Sequence, residues 1–145
     1  MDRARMEAIL SKATVCRLGL ADENGPYVVP LSFGYEDNIL YFHGGARGRK
    51  VSMLRNNSNV CFEVDVDVEV MLSETGCGST IRYRSVIGFG KARFIEGHAE
   101  KKRALNVIMR HYTGREFDLA DNDVRRATVF CVEIESMSGK QAGYD

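Results

Sequence analysis

A basic, glycine-containing segment occupies residues 41–57, with the sequence YFHGGARGRKVSMLRNN. Its three glycines allow the backbone to turn tightly and to bring N–H groups close to a ligand. A helix is predicted from near Arg49, and its first turn would direct free N–H groups and the positive end of the helix dipole to the same place. Arg49 and Lys50 lie in that turn, where positive charge slightly destabilises the helix itself. From these residues alone, the segment is either a phosphate site or a solvated basic turn.

The sequence has no motif that supports a nucleotide-binding, calcium or zinc site. No G-x-G-x-x-G follows a predicted strand, and no G-x-x-x-x-G-K-[ST] loop occurs. The acidic run DVDVE at residues 65–69 lacks the glycine and the distal glutamate of a calcium loop. His43, His98 and His111 do not have zinc-ligand spacing, and His98 and His111 are expected at the surface, near the ends of a helix. We therefore predict no metal site, and no catalytic acid or base can be named.

The length and composition indicate one globular domain spanning residues 1–145. Lys+Arg and Asp+Glu are equal at 20 each, and no stripe of basic and aromatic residues suggests nucleic-acid binding. No apolar run reaches the length of a membrane span, and the N-terminal residues lack the apolar region of a secretory signal. The four cysteines form no C-x-x-C pair and are expected as free thiols. These features predict a cytoplasmic protein with no membrane partner.

Hydrophobic periodicity predicts a mostly β chain with two clear helices and one short helix after the basic segment. Three of the strands, joined by two tight turns, are expected to form an antiparallel meander over residues 14–43. The six apolar residues at even positions in 60–70 are expected to face the core together, and Gly88 and Gly90 to allow a bend or bulge. The predicted helices cover 5–13 and 98–112, and the predicted strands 14–22, 27–35, 39–43, 60–70, 81–96 and 127–136.

Over nearly its whole length the sequence resembles the FMN-binding split-barrel superfamily related to pyridoxamine 5'-phosphate oxidase. Within it, the sequence is most similar to the branch that includes nitroimidazole-resistance reductases. Four segments in the right order carry the resemblance: CRLGLADENGPYVVPLSFGYEDNILYFHGGARGRKVSMLRNN, VCFEV, YRSVIGFGKARFIE and VEIESMSGKQAG. The resemblance implies a six-stranded antiparallel split β-barrel with flanking helices, and a homodimer with one FMN at each end of the subunit interface.

The resemblance also nominates cofactor-binding residues. The first group, on a strand that would run along the flavin ring and ribityl chain, is Val29, Pro30, Leu31 and Ser32. His43 and Gly44 match the end of the next strand, beside the ribityl-phosphate, and Arg49 and Lys50 match a basic pair that would bind the phosphate. A later strand segment that would approach the flavin, from the same subunit or from the neighbouring one, contains Arg84, Ser85 and Val86.

Two departures from the vitamin-synthesising oxidases limit what the resemblance implies. Where those enzymes carry R-x-x-L-L-K, this chain has YVVPLS, and it contains no tryptophan for their C-terminal substrate signature. Oxidation of pyridoxamine phosphate is therefore not expected. The expected function is an FMN oxidoreductase that passes electrons from reduced flavin to a small acceptor such as a nitroaromatic or a quinone. The alternative is a flavin- or haem-binding module without turnover, and coenzyme F420 is a further ligand of this superfamily.

Overall fold

The computed structural model describes all 145 residues, and its seven strands form one antiparallel sheet. Strands account for 46% of the chain and helices for 28%, which confirms the expected mostly β class with flanking helices. No helix has the length and apolar character needed to cross a membrane. In chain order the elements are α1 (Arg3–Lys12), β1 (Cys16–Asp22), β2 (Gly25–Leu31), β3 (Gly34–Glu36), β4 (Ile39–Gly44), α2 (Arg49–Asn56), β5 (Asn59–Met71), β6 (Thr80–Ile95), α3 (His98–Thr113), α4 (Asp121–Arg126) and β7 (Thr128–Ala142).

The sheet curves into an open barrel. Its strand order is β2-β1-β5-β6-β7-β4-β3, so β2 and β3 are the two edges and are not hydrogen-bonded to each other. In a flat sheet of this size the edges would lie about 29 Å apart, at about 4.8 Å per strand. However, β2 ends at Leu31 and β3 begins at Gly34, and so short a link reaches only about 10 Å. The sheet must therefore bend until its edges meet, which gives the expected split barrel.

The antiparallel meander predicted over residues 14–43 is wrong, because at Ser32 and Phe33 the chain passes from one edge strand of the sheet, β2, to the other, β3. β1 pairs with β2, but β4 pairs with β3 and β7 rather than with β2. Phe33 is fully buried, and its N–H donates to the Tyr112 hydroxyl at 3.0 Å instead of joining a strand ladder. The strand expected over 27–35 consequently divides in two, which raises the strand count from six to seven.

A bulge in β5 changes which residues face the core. The register against β6 shifts between Val66 and Glu69, and Asp67 there has a left-handed φ of 56°. One extra residue reverses the alternation, so Val68 and Val70 are 57% and 64% exposed. The expectation that they share the core face was wrong for these two valines. It was right for the four residues before the bulge, which are buried: Val60, Phe62, Val64 and Val66.

The C-terminal part of the chain holds more regular structure than the sequence suggested. The strand expected over 127–136 continues to Ala142, and its last residues pair with β6 along the full register. A second register shift lies opposite Phe89 and Gly90 of β6, but its extra residue is Glu135 of β7, so the bulge expected near Gly88 and Gly90 falls in the neighbouring strand. The short helix α4 falls in a stretch for which no element was predicted.

Two hydrophobic cores flank β4. One fills the barrel and includes Leu40 and Phe42, whereas the other lies between the sheet and α3 and includes Tyr41. Helix α3 contacts β3 so closely that a Cβ added at Gly34 would lie 2.8 Å from the backbone of Ile108. Because side chains alternate along a strand, the residue after Phe42, His43, points to the α3 side. The end of β4 therefore lies between the two cores.

Candidate cofactor-binding site

The first turn of α2 has the free backbone groups expected of an anion site. Gly48 precedes the helix with φ of 128°, a conformation that favours glycine. No side chain caps the helix, and no acidic residue lies in its first turn. The N–H groups of that turn therefore have no partner within the helix and are available to a negatively charged group.

Three cations surround this turn without a carboxylate partner. Arg47, Arg49 and Lys50 form no salt bridge, although arginines elsewhere in the chain do, as Arg84 does with Asp67. The Lys50 ammonium lies over Gly44, where an added Cβ would be 2.9 Å from Nζ. A side chain at position 44 would displace it. Free N–H groups and unpaired cations together match the needs of a phosphate group. We call the group formed by Gly44, Gly48, Arg49 and Lys50 the basic clamp.

An aromatic contact joins the basic clamp to β2. The Arg49 guanidinium lies 4.5 Å from the centre of the Tyr27 ring, within the range of a cation–π interaction. Val29 and Leu31 are on the same face of β2 as Tyr27, are half-buried and pack against the barrel core. The other two nominated residues of this segment, Pro30 and Ser32, are exposed. The four nominated residues therefore do not line one surface.

His43 lies next to the basic clamp in sequence, but its side chain belongs to a different pocket. It lines a cavity of about 200 Å³ with residues of α3 and α4. His43 is exposed on its outer side, and the partial desolvation of its inner side, and then the positive charge of Lys50, lowers its pKa below the ordinary 6.5. Both effects favour the neutral imidazole, which has one nitrogen as a donor and the other as an acceptor.

The third nominated group, residues 84–86, lies away from the basic clamp of its own chain. The Arg84 guanidinium donates to Asp67 at 2.6 Å and to Gln141 at 3.0 Å, beside α1. Ser85 pairs with Asp65 of β5, and Val86 is fully buried in the barrel. The structure thus places Lys50 beside Gly44 and near His43, directs Arg49 to Tyr27 of β2, and leaves residues 84–86 elsewhere.

Sequence reasoning missed some residues of this region. Tyr27 was not nominated, although an aromatic residue two positions before Val29 must share its face of β2. The α4 residues that form the wall of the His43 pocket were missed because no helix was predicted there. His111 was expected at the surface, but it contacts the buried Phe33 ring at 4.5 Å and hydrogen-bonds the Ala13 carbonyl at 2.6 Å.

The remaining reactive groups do not form a second centre. All four cysteines are free thiols, and burial raises the pKa of Cys16 to about 12, so this thiol stays protonated at neutral pH. No group of three or more His, Cys, Asp or Glu residues could hold a metal ion. What the site offers is a group of unpaired cations and free helix N–H groups that suits an anion, with an imidazole nearby.

The open antiparallel barrel, with edge strands β2 and β3 that are not hydrogen-bonded to each other, places this chain in the class of split β-barrel proteins. The family model described as pyridoxamine 5'-phosphate oxidase matches residues 2–141, and the chain belongs to this family. A solved structure of a proposed 5-nitroimidazole antibiotic resistance protein from Bacteroides thetaiotaomicron is 40% identical, with a TM-score of 0.85, 95% of this chain covered and 82% of that one.

Two more distant structures share the fold. The FAD- and haem-binding protein from Mycobacterium smegmatis is 19% identical, with a TM-score of 0.85 and coverage of 99% of this chain and 72% of that one. An FAD-binding protein from Mesorhizobium loti is 23% identical, with a TM-score of 0.71 and coverage of 99% and 96%. The fold of this chain is therefore one that flavin-binding proteins use.

Proposed function

We propose that the protein is an FMN-dependent oxidoreductase that passes electrons from reduced flavin to a small acceptor. The observation that carries the proposal is the basic clamp, in which the unpaired Lys50 ammonium lies over Gly44 and the α2 helix starts with free N–H groups and the unpaired Arg49. A half-buried cation such as Lys50 without a partner is unfavourable, and a phosphate monoester with its negative charge would supply that partner. Family membership and the flavin-binding relatives support a flavin as the bearer of the phosphate.

The residues present fit an FMN. Lys50, Arg49 and the first-turn N–H groups of α2 would hold its phosphate. The outer face of the β2 segment, where Pro30 and Ser32 are exposed, would supply contacts and backbone hydrogen-bonding groups for the ring system, while Val29 and Leu31 anchor this segment to the barrel core. When bound, FMN supplies the redox chemistry, and the protein supplies binding, orientation and electrostatics. Within that division, the role of this chain is to fix the phosphate end and to keep the neighbouring imidazole of His43 neutral.

A homodimer would complete the site. The outer face of the sheet carries an apolar row in which Val28 is 65%, Ile87 45% and Phe89 56% exposed. Ser85 lies on the same outer face as Ile87 and Phe89, since residues two apart along a strand share a face. A second copy packed on this face would remove the apolar surface from water. It would also bring Ser85 of one subunit, the one residue of 84–86 on this face, towards the flavin of the other.

The nature of the acceptor is proposed from the relative from Bacteroides thetaiotaomicron, whose description concerns resistance to 5-nitroimidazoles. At 40% identity this similarity supports a nitroaromatic, or a quinone of similar size, as the acceptor. Pyridoxamine phosphate oxidation is not proposed, because the chain lacks tryptophan and the basic residues of the R-x-x-L-L-K run.

A second candidate is a haem- or flavin-binding module without turnover. It is favoured by one observation, the His43 imidazole, which makes no side-chain hydrogen bond although His98 and His111 do. A free imidazole nitrogen is what a haem iron requires. The adjoining cavity of about 200 Å³ is nevertheless smaller than the roughly 300–1,000 Å³ of pockets that enclose larger ligands.

An absorbance spectrum of the purified protein, before and after addition of FMN and removal of the excess, tests both candidates. Retained flavin bands that bleach with NAD(P)H under anaerobic conditions support the oxidoreductase. Flavin bands without bleaching support the module, and a Soret band supports haem. A protein that retains no flavin refutes the proposed function. Light scattering tests the dimer, and a monomeric mass with FMN bound would contradict it.

A further inference from the structure

A pocket of about 270 Å³ lies between helix α1 and the bulge of β5 at Asp67. Four of its lining residues are hydrophobic, and the other four are charged: Arg5, Lys12, Asp67 and Arg84. We call this space the bulge pocket. It shares no lining residue with the basic clamp or with the cavity beside His43, so it is a separate place in the fold.

The bulge itself opens this space. An unbroken alternation along β5 would direct Val68 to the same side as Val66, which faces α1. The extra residue instead turns Val68 outward, where it is 57% exposed, and directs the Asp67 side chain to Lys12 of α1. The volume that Val68 would have filled therefore stays open beside Ile9 and Val66.

The bulge pocket holds more positive than negative charge. The ammonium of Lys12 and the guanidinium of Arg84 bind different oxygens of the Asp67 carboxylate, the latter at 2.6 Å. The Arg5 guanidinium has no carboxylate partner and donates only to the Gln141 side-chain oxygen, at 2.8 Å. No other carboxylate lines the pocket, so three cations face one anion.

Helix stability does not explain the position of Arg5. This residue lies in the first turn of α1, which has no acidic residue and where a positive charge slightly destabilises a helix. A guanidinium carries five N–H donors, and Arg5 uses one of them on Gln141. The remaining donors are available to an anion in the bulge pocket, next to the apolar residues of its wall.

We propose that the bulge pocket binds a small carboxylic acid with an apolar body, whose carboxylate is held by Arg5 and Lys12. Asp67 shows that the cations here accept a carboxylate. An inorganic anion would leave the apolar wall in water, and an uncharged molecule would leave Arg5 without a charged partner. Since a cavity of about 150 Å³ accommodates benzene, a pocket of about 270 Å³ has room for about six carbon atoms with their carboxylate.

This site is independent of the proposed flavin site. Arg84 and Ser85 are neighbours on β6, so their side chains point to opposite faces of the sheet. The bulge pocket is therefore on the α1 side, whereas the surface proposed for the dimer is on the outer side. Binding of a carboxylic acid goes beyond the proposed function, and it can be measured with or without FMN.

Hexanoate, hexanamide and acetate test the two halves of the bulge pocket separately. Hexanamide has the apolar body without the charge, and acetate has the charge without the body. In protein labelled on its alanine, isoleucine and valine methyl groups, hexanoate should shift the NMR signals of Ala8, Ile9 and Val66 in a saturable manner. The expected dissociation constant is about 1 mM, and hexanamide and acetate should each bind at least about tenfold more weakly. The methyl signals of Ile108 and Val124, which line the other cavity, should not move.

Substitutions on α1 locate the site. Arg5→Gln should weaken hexanoate binding by about tenfold or more and leave hexanamide binding unchanged, because it removes only the charge. Ala8→Leu should weaken the binding of both molecules, because the larger side chain fills the apolar half of the pocket. Arg3→Gln and Ala4→Leu make the same changes at exposed positions of α1 outside the pocket, and they should bind like the wild type.

Three results would overturn the proposal. The first is the absence of a saturable shift at Ile9 and Val66. The second is hexanoate binding that both Arg5→Gln and Ala8→Leu retain, with native amide spectra. The third is equal affinity for hexanoate and hexanamide, which would mean that the charges select nothing. Failure of FMN binding leaves this titration intact, because the flavin-free protein is measured as well.

Discussion

Replacement of Lys50 by methionine should weaken FMN binding while leaving the fold intact. Methionine keeps most of the length and apolar character of the side chain but removes its ammonium group. A hydrogen bond to a charged group contributes about 1.5–3 kcal/mol, which corresponds to an affinity loss of about tenfold to 140-fold. Because Lys50 is half-buried over Gly44, its contribution should exceed that of the exposed Arg49. Titration of the apoprotein with FMN, monitored by the quenching of flavin fluorescence, measures the affinity lost on replacement of Lys50 and on replacement of Arg49.

Lys102→Met is the matched control for Lys50→Met. It removes the same charge from a half-buried lysine whose nearest carboxylate, on Asp118, is 3.8 Å away. A second readout needs no flavin. The charge of Lys50 contributes to the lowered pKa of His43, so this pKa should rise in Lys50→Met and not in Lys102→Met. If Lys50→Met binds FMN within about twofold of the control, the basic clamp does not hold the phosphate and the reasoning fails.

Three further predictions concern stability. Gly34→Ala should lower the free energy of unfolding, measured by urea titration, by about 1–3 kcal/mol. The reason is that the new Cβ would lie 2.8 Å from the α3 backbone. Gly76→Ala is the control and should be neutral, since nothing lies within 4 Å of its new Cβ. Asn106→Ala should cost about 1–3 kcal/mol and speed hydrogen exchange at Phe117, whose N–H and carbonyl both bond the Asn106 side chain; unchanged exchange would refute this. Burial raises the pKa of Cys16 to about 12, against 9.0 for a free thiol. As pH rises, the unfolded chain therefore loses this proton before the folded chain does. At pH 10 the free energy of unfolding of the wild type should consequently fall by about 1.4 kcal/mol relative to that of Cys16→Ala.

The parts of the fold that the sequence predicted are those that depend on local pattern. Helix α3 and the core face of β5 before its bulge follow from periodicity, and the basic clamp follows from glycines next to cations at a helix start. The pairing of β4 with β7 could not be predicted in this way, because its partners lie about ninety residues apart. Likewise, the alternation of VDVDVEV continues through the bulge at Asp67 without a break, so nothing in the pattern marks the reversal.

The candidate site shows the same division. The closeness of Gly44 to Lys50 was expected, because a tight turn separates them. The direction of His43 was not, since ILYFH is apolar on both faces of β4 and gives no sign of which face meets α3. Helix α4 carries one buried residue, Val124, among charged neighbours, which is too little periodicity to predict a helix. Residues 84–86 were nominated by resemblance, and their place relative to a flavin stays a prediction that depends on the second subunit.

The position of β7 has a consequence for the order in which the protein folds. This strand lies inside the sheet and joins β6 to β4, although β4 and β7 are about ninety residues apart along the chain. Until β7 pairs, β4 and β6 keep unpaired edges that can pair with another chain. The basic clamp follows β4 directly, so it would lie on an unanchored hairpin until then. Folding intermediates that lack a docked β7 should thus aggregate, not behave as partly active barrels.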